Sequence, residues 1–221
     1  MSSLLPRVRL IEAGSLIVAP ALMSVGDLMH PPESWDSAAQ VAIIAAASRR
    51  WYLAHLLLLV GILLFVPGIL ALSRTVAVYR PAVGYASRVL LLASVGALAA
   101  VFACEMLLGG FVAADPEGAV ALVDTFNSRV LVALLPGLLA FFVGTGLSVA
   151  PLASTPGPLR WPALGLGLGA LLILGEIVTA RVILSQIGNT LICIAGIGFA
   201  RVLRSGAPAP SPDRHSSKPR A

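Results

Sequence analysis

The sequence predicts an all-α fold: a polytopic transmembrane bundle of six helices, with a short interfacial helix in the first outer loop. Composition is the first reason. Of 221 residues 58% are apolar and 11% charged, with a mean hydropathy of +0.95, where soluble domains average roughly 45–50% apolar and about 25% charged. The second reason is distribution: the apolar residues gather into six runs, each close to the ~20 residues that cross ~30 Å of hydrocarbon. A single water-surrounded core of this size could not hide so much hydrocarbon. A soluble enzyme, a nucleic-acid-binding domain and a disulfide-stapled secreted module are thereby excluded.

The spans are expected at about 10–29, 51–73, 88–112, 129–150, 162–181 and 183–204, making residues 1–204 one transmembrane domain. In the first, Arg7 and Arg9 precede an apolar stretch that ends near Ala19-Pro20-Ala21, a pattern shared with signal peptides. Glu12 interrupts that stretch and the apolar run continues beyond it, so an uncleaved first helix is the expectation. Pro31 and Pro32 end it, and Ser34 or Asp36 can cap a helix over about 34–48. Its face of Trp35, Ala39, Ala42, Ile43 and Ala46 would lie along the membrane surface, as a plain connector or as a lid.

Pro67 and Pro136 sit inside the second and fourth spans and Pro20 inside the first, where kinks are expected. The apolar run over 162–204 is too long for one helix and carries Glu176, Arg181, Gln186 and Asn189, so it reads as a tight hairpin turning near Arg181. Gly165 with Gly169, and Gly196 with Ala200, are small-residue pairs that let helices approach within the chain. The tail over 205–221, rich in Pro and Ser and without apolar periodicity, is expected to be disordered and cytoplasmic.

Positive charge sets orientation. With the N-terminus inside, eleven bases lie on the cytoplasmic side (Arg7, Arg9, Arg74, Arg80, Arg88, Arg160, Arg201, Arg204, Arg214, Lys218 and Arg220) and four outside (Arg49, Arg50, Arg129 and Arg181). That excess places both termini in the cytoplasm. Fourteen of the fifteen bases are Arg, a bias that fits a GC-rich bacterial genome and hence a bacterial inner membrane. The bases form no stripe for nucleic acid.

Ionisable groups within spans are costly and mark function by default. At ~1.5 Å rise per residue, Glu105 lies about 25 Å above Arg88, Glu176 about 24 Å above Arg160, and Asp27 about 27 Å above Arg9. His55, counted down from Arg50, falls about 7 Å below the outer boundary. Asp27, His55, Glu105 and Glu176, with Arg181, Gln186 and Asn189, therefore form one polar layer in the outer third of the membrane. The inner half offers only Glu12. A through-going pore would need polar lining along its length, so the expected feature is an outward-facing polar pocket with a closed apolar floor.

Three roles fit such a layer. Binding or transport of a small molecule or lipid from the outer side is the leading one. An accessory or scaffolding subunit is the alternative, with the acids acting as clips such as Glu105–Arg129 or Glu176–Arg181. A membrane-embedded metal enzyme comes last. His55, Glu105 and Glu176 are candidate metal ligands by residue type, but there is no HExxH and no His pair at helical spacing. Cys104 and Cys193 lie in apolar runs without a CxxC, so no cofactor is expected. The lipid bilayer is the one partner implied directly; a small-molecule or lipid ligand and a homo-oligomer are compatible with it.

Overall fold

The computed structural model describes residues 4–179 and 182–205, and among them every regular element is a helix. They run α1 (Leu4–Met29), α2 (Ser37–Ala46), α3 (Ser48–Leu64), α4 (Val66–Tyr79), α5 (Pro81–Ala114), α6 (Pro116–Thr125), a π-helical turn (Phe126–Val130), α7 (Leu131–Ser154), α8 (Arg160–Thr179) and α9 (Val182–Ser205). Six stretches are long and apolar enough to cross a membrane: Val8–Met29, Ser48–Tyr79, Pro81–Ala114, Val132–Ser154, Arg160–Ile177 and Ile183–Ser205. The expected turn near Arg181 and the tail beyond Ser205 lie outside the described residues.

Each span packs on its neighbours in sequence, and α9 closes back on α1. The result is a ring in chain order. Leu107, Phe111, Val132, Leu171 and Ile194 turn outward from it, as lipid rather than water would require. One end of the ring carries the start of α1 and the end of α9, hereafter the chain ends; the other, the capped end, is crowned by α2, α6 and the π-helical turn. The half toward the chain ends is filled by Leu16, Ile69, Leu72, Leu91, Val95, Leu152, Leu166, Ile192 and Phe199, which form one apolar core.

The second span divides at Phe65 into α3 and α4, next to Pro67 where a kink is expected, and it is longer than its apolar run. It breaks at Phe65 because Pro67 has no N–H to donate and its ring clashes with the carbonyl four residues back. Ser15 of α1 occupies the break. Its hydroxyl donates to the Leu64 carbonyl (2.6 Å) and accepts from the Gly68 N–H (2.9 Å), satisfying two backbone groups that hydrocarbon cannot. The third span is also longer than expected, since Pro81 starts α5 at a first-turn position where a missing N–H costs nothing.

The surface helix is shorter than its expected range of 34–48. Asp36 caps it by accepting from the Ala39 N–H (2.7 Å). Its buried face is Gln40, Val41 and Ile44, while Ala39, Ala42 and Ala46 stay exposed. The face differs from the expected one because α6, unforeseen from the sequence, supplies Ala119 and Val123 for it to pack against. α2 therefore packs by this face on α6, α5 and α3. At the opposite end Glu12, the acid expected in the inner half, is the ion-pair partner of Arg74 on α4.

Glycines set the closest approaches. Gly169 and Gly188 face each other's carbonyls, a Cβ on either lying 2.7 Å from the other's oxygen. At Gly196 a Cβ would fall on the Leu16 carbonyl of α1, so α1 and α9 touch only because that position has no side chain. Gly196→Ala should therefore lower the melting temperature by several degrees, in keeping with an overpacking cost of about 1–3 kcal/mol. Gly14→Ala, where a Cβ meets nothing within 4 Å, should leave it unchanged or slightly raised; both are read by thermal unfolding in detergent.

Candidate functional site

The capped end encloses a cavity of about 320 Å³, at the low end of the size range of small-molecule pockets. Glu33 from the first loop, Glu105 from α5 and Glu176 from α8 bring three carboxylates to its wall. Trp35, Trp51 and Phe126 add aromatic surface, Ile44, Leu108, Leu135, Leu138 and Ile177 make it apolar elsewhere, and among the described residues no Arg, Lys or His lines it.

Behind Glu105 lies a compact aromatic and imidazole cluster. Trp51 is buried at the capped end of α3 and donates its Nε1–H to the Glu105 backbone carbonyl (2.8 Å), tying α3 to α5. The indole fits against α5 because Gly109 stands opposite, where a Cβ would lie 3.1 Å from the ring. One turn on, His55 is 1% exposed. Its Nδ1 bonds the Trp51 carbonyl at 2.8 Å, and its Nε2 lies 2.8 Å from the Glu105 carboxylate. His30 completes the cluster: its Nε2 is 3.1 Å from His55 Nε2, and its Nδ1 is 2.7 Å from the Pro31 carbonyl. The three rings are in mutual contact, tilted for His30–Trp51 (centroids 4.9 Å apart) and Trp51–His55 (4.4 Å) and edge-on for His30–His55 (4.7 Å).

Arg50 holds His30 in place. Its guanidinium donates to the Met29 and His30 carbonyls at the C-terminal end of α1, where positive charge also suits the helix dipole. The chain then turns through Pro31 and Pro32, which cannot continue a helix, and this brings Glu33 to 3.6 Å from His30 Nε2.

Of the seven residues singled out from the sequence, Glu105 and Glu176 line the cavity and His55 pairs with Glu105 behind it. Asp27 takes another course. Its carboxylate accepts from Ser185 Oγ (3.3 Å) and Asn189 Nδ2 (3.4 Å), joining α1 to α9. Gln186 is half-buried and outside the cavity lining, and Arg181 lies outside the described residues. The Glu105–Arg129 clip does not form; Glu105 turns to His55 instead. His55, Glu105 and Glu176 are not gathered as metal ligands, and no group of three or more His, Cys, Asp and Glu among the described residues is placed to hold a metal ion. His30, Glu33, Trp51 and Arg50 were missed. His30 could have been found, because it stands three residues past Asp27 and hence within one turn of the same depth.

Two loop groups carry shifted proton affinities. Glu33 is pushed up to about 7, first by burial and then by the charges of Glu105 and Glu176. His30 is pushed down to about 4 by burial and by the neighbouring His55. A raised carboxyl contributes stability below its ordinary value of 4.5 and loses it as pH rises through about 7. A depressed histidine contributes stability above its ordinary 6.5 and loses it as pH falls through about 4. The two slopes oppose each other between 4.5 and 6.5, so each single variant should unmask the other group. Glu33→Gln should make the melting temperature climb with pH across that window, and His30→Gln should make it fall. Because 52% of the Glu33 side-chain surface is open, its slope should amount to a few degrees at most. Melting curves in a pH series check both signs. Comparison of the chain with family models, curated proteins and solved structures found no match.

Proposed function

We propose that this is a multi-pass protein of the bacterial inner membrane that takes up a cationic, amphipathic small molecule into the capped-end cavity, from the side opposite its termini. The carrying observation is the wall itself: three carboxylates and two indoles around about 320 Å³, with no basic residue among the described lining residues. Carboxylates near apolar walls favour a positive charge, and indole faces attract cations by about 0.5–2 kcal/mol each, more when water is excluded. Anionic ligands would meet repulsion from every ionised wall group. The arginine excess on the sides of Arg9, Arg74, Arg80 and Arg160 supports a cytoplasmic terminal end, and hence a cavity facing outward.

The closed core of Leu16, Leu72, Leu91, Leu152 and Phe199 beneath the site favours binding over a continuous path. Asp27, held by Ser185 and Asn189, is assigned to helix clamping, the part of the polar layer that suits the scaffold reading.

Tetraethylammonium, a cation with no proton of its own, tests the reading. It should bind the purified chain, and Glu176→Gln and Trp35→Ala should each weaken that binding at least about tenfold while the melting temperature stays within about 2 °C. Calorimetric titration reads the affinity. Equal affinity in wild type and both variants would place the cation elsewhere and remove the cavity as the site.

A further inference from the structure

The hydrogen bonds of the two histidines leave one proton to be accounted for. A carbonyl oxygen only accepts, so His30 Nδ1, against the Pro31 carbonyl, and His55 Nδ1, against the Trp51 carbonyl, must both carry hydrogen. Were both rings neutral, each Nε2 would present a bare lone pair. Yet these two atoms lie 3.1 Å apart, and His55 Nε2 also faces the Glu105 carboxylate at 2.8 Å. Three acceptors cannot converge in a site this buried without a hydrogen among them. Only His55 Nε2 touches both other members, so a hydrogen there satisfies His30 and Glu105 together.

We infer that His55 holds a proton as the counter-ion of Glu105, and that a cation entering the cavity displaces it through His30 to Glu33 and the outer water. The exchange rests on the cation reading of the cavity. Its balance is one charge for one charge: the incoming cation pairs with Glu105, and two positive charges on one carboxylate repel strongly where water is scarce. The His55 Nε2–H bond breaks and the His30 Nε2–H bond forms across 3.1 Å. The same proton then reaches Glu33 Oε1, which lies 3.6 Å from His30 Nε2, through one bridging water or after the half-exposed carboxylate closes to hydrogen-bond distance. No tautomer change is needed, because His30 receives and releases at one nitrogen; with the proton gone the two Nε2 lone pairs repel, so release also parts the two rings or admits a water between them.

The surroundings suit that route. His30 is a poor resting place, its affinity for protons being pushed down to about 4, which is what a transient carrier requires. Glu33, held near 7 and half exposed, hands protons to water at neutral pH. The charged groups facing the pair are Glu33 from the loop, Arg50 from α3 and Glu105 from α5, with Asp27 of α1 and Glu176 of α8 acting on Glu33. Arg50 alone among them is basic, and its guanidinium is occupied by the Met29 and His30 carbonyls.

The test uses the full chain in lipid nanodiscs at pH 7. Tetraethylammonium is titrated in, its binding is followed calorimetrically, and the protons released are followed with a pH indicator in weak buffer. Wild type should release close to one proton per cation bound, and His55→Gln at least fivefold fewer. His30→Gln should keep the count but slow the release tenfold or more in stopped flow. Cation binding without release, or equal release from His55→Gln, overturns the exchange and leaves the cation reading standing. Failure of tetraethylammonium to bind removes both. Nitrogen-15 spectra of the histidines without ligand test the proton separately: one doubly protonated ring and one neutral ring are expected, and two neutral rings overturn the assignment.

Discussion

A buried imidazole surrounded by helices must commit both nitrogens, and at the capped end that requirement organises the structure. His55 spends Nδ1 on its own helix, through the Trp51 carbonyl one turn back. That bond fixes the ring's orientation and aims Nε2 across to α5 and α1. Glu105 and His30 are the two groups that answer. Trp51 then packs against both histidines and bonds the Glu105 backbone, so three spans meet through one side chain's needs. The carboxylates of the cavity wall are positioned from behind by this cluster, which is why Glu105 can present charge to the cavity without being stranded in hydrocarbon.

How much of this was readable beforehand follows from the kind of physics involved. The spans were legible because bilayer thickness acts on every residue of a run, and the runs of Leu, Val, Ala and Gly record it. The depth of Glu105 and Glu176 was legible because helical rise is constant, and both acids do line the same cavity. Asp27 was placed at the right depth, but its bond to Asn189 depends on α9 closing the ring beside α1, a neighbour relation that rise cannot supply. His30, Glu33 and Arg50 were lost for the opposite reason: they act where helices end, and a loop's path has no period to count. Likewise α6 is built from PEGAVALVDT, too short and mixed to stand out from a loop until α2 packs on it.

The two ends of the ring handle buried charge differently. At the capped end several acids share one space, and a protonated or cationic group is needed to balance them. At the other end Glu12 has a dedicated Arg74, and the interior above it is mainly apolar, its buried polar groups being hydroxyls such as Ser15, Ser87 and Ser148. One end is electrically unfinished and the other complete. That asymmetry, more than any single residue, is what the cation reading rests on.

The splice at Phe65 adds a mechanical dimension. In an unbroken helix, bending or rotating one part drags the rest, because every turn is bonded to the next. Here the Phe65 and Ile69 N–H groups keep their helical bonds, but the Leu64 carbonyl and the Gly68 N–H are held by Ser15, whose hydroxyl belongs to a different span. The portion bearing Trp51 and His55 is thus articulated against the portion anchored in the apolar core, with the joint lubricated by a side chain that can pivot about one torsion. Strain at the mouth would be taken up at that joint before it reached the floor, letting the crown tilt on a base that keeps its shape.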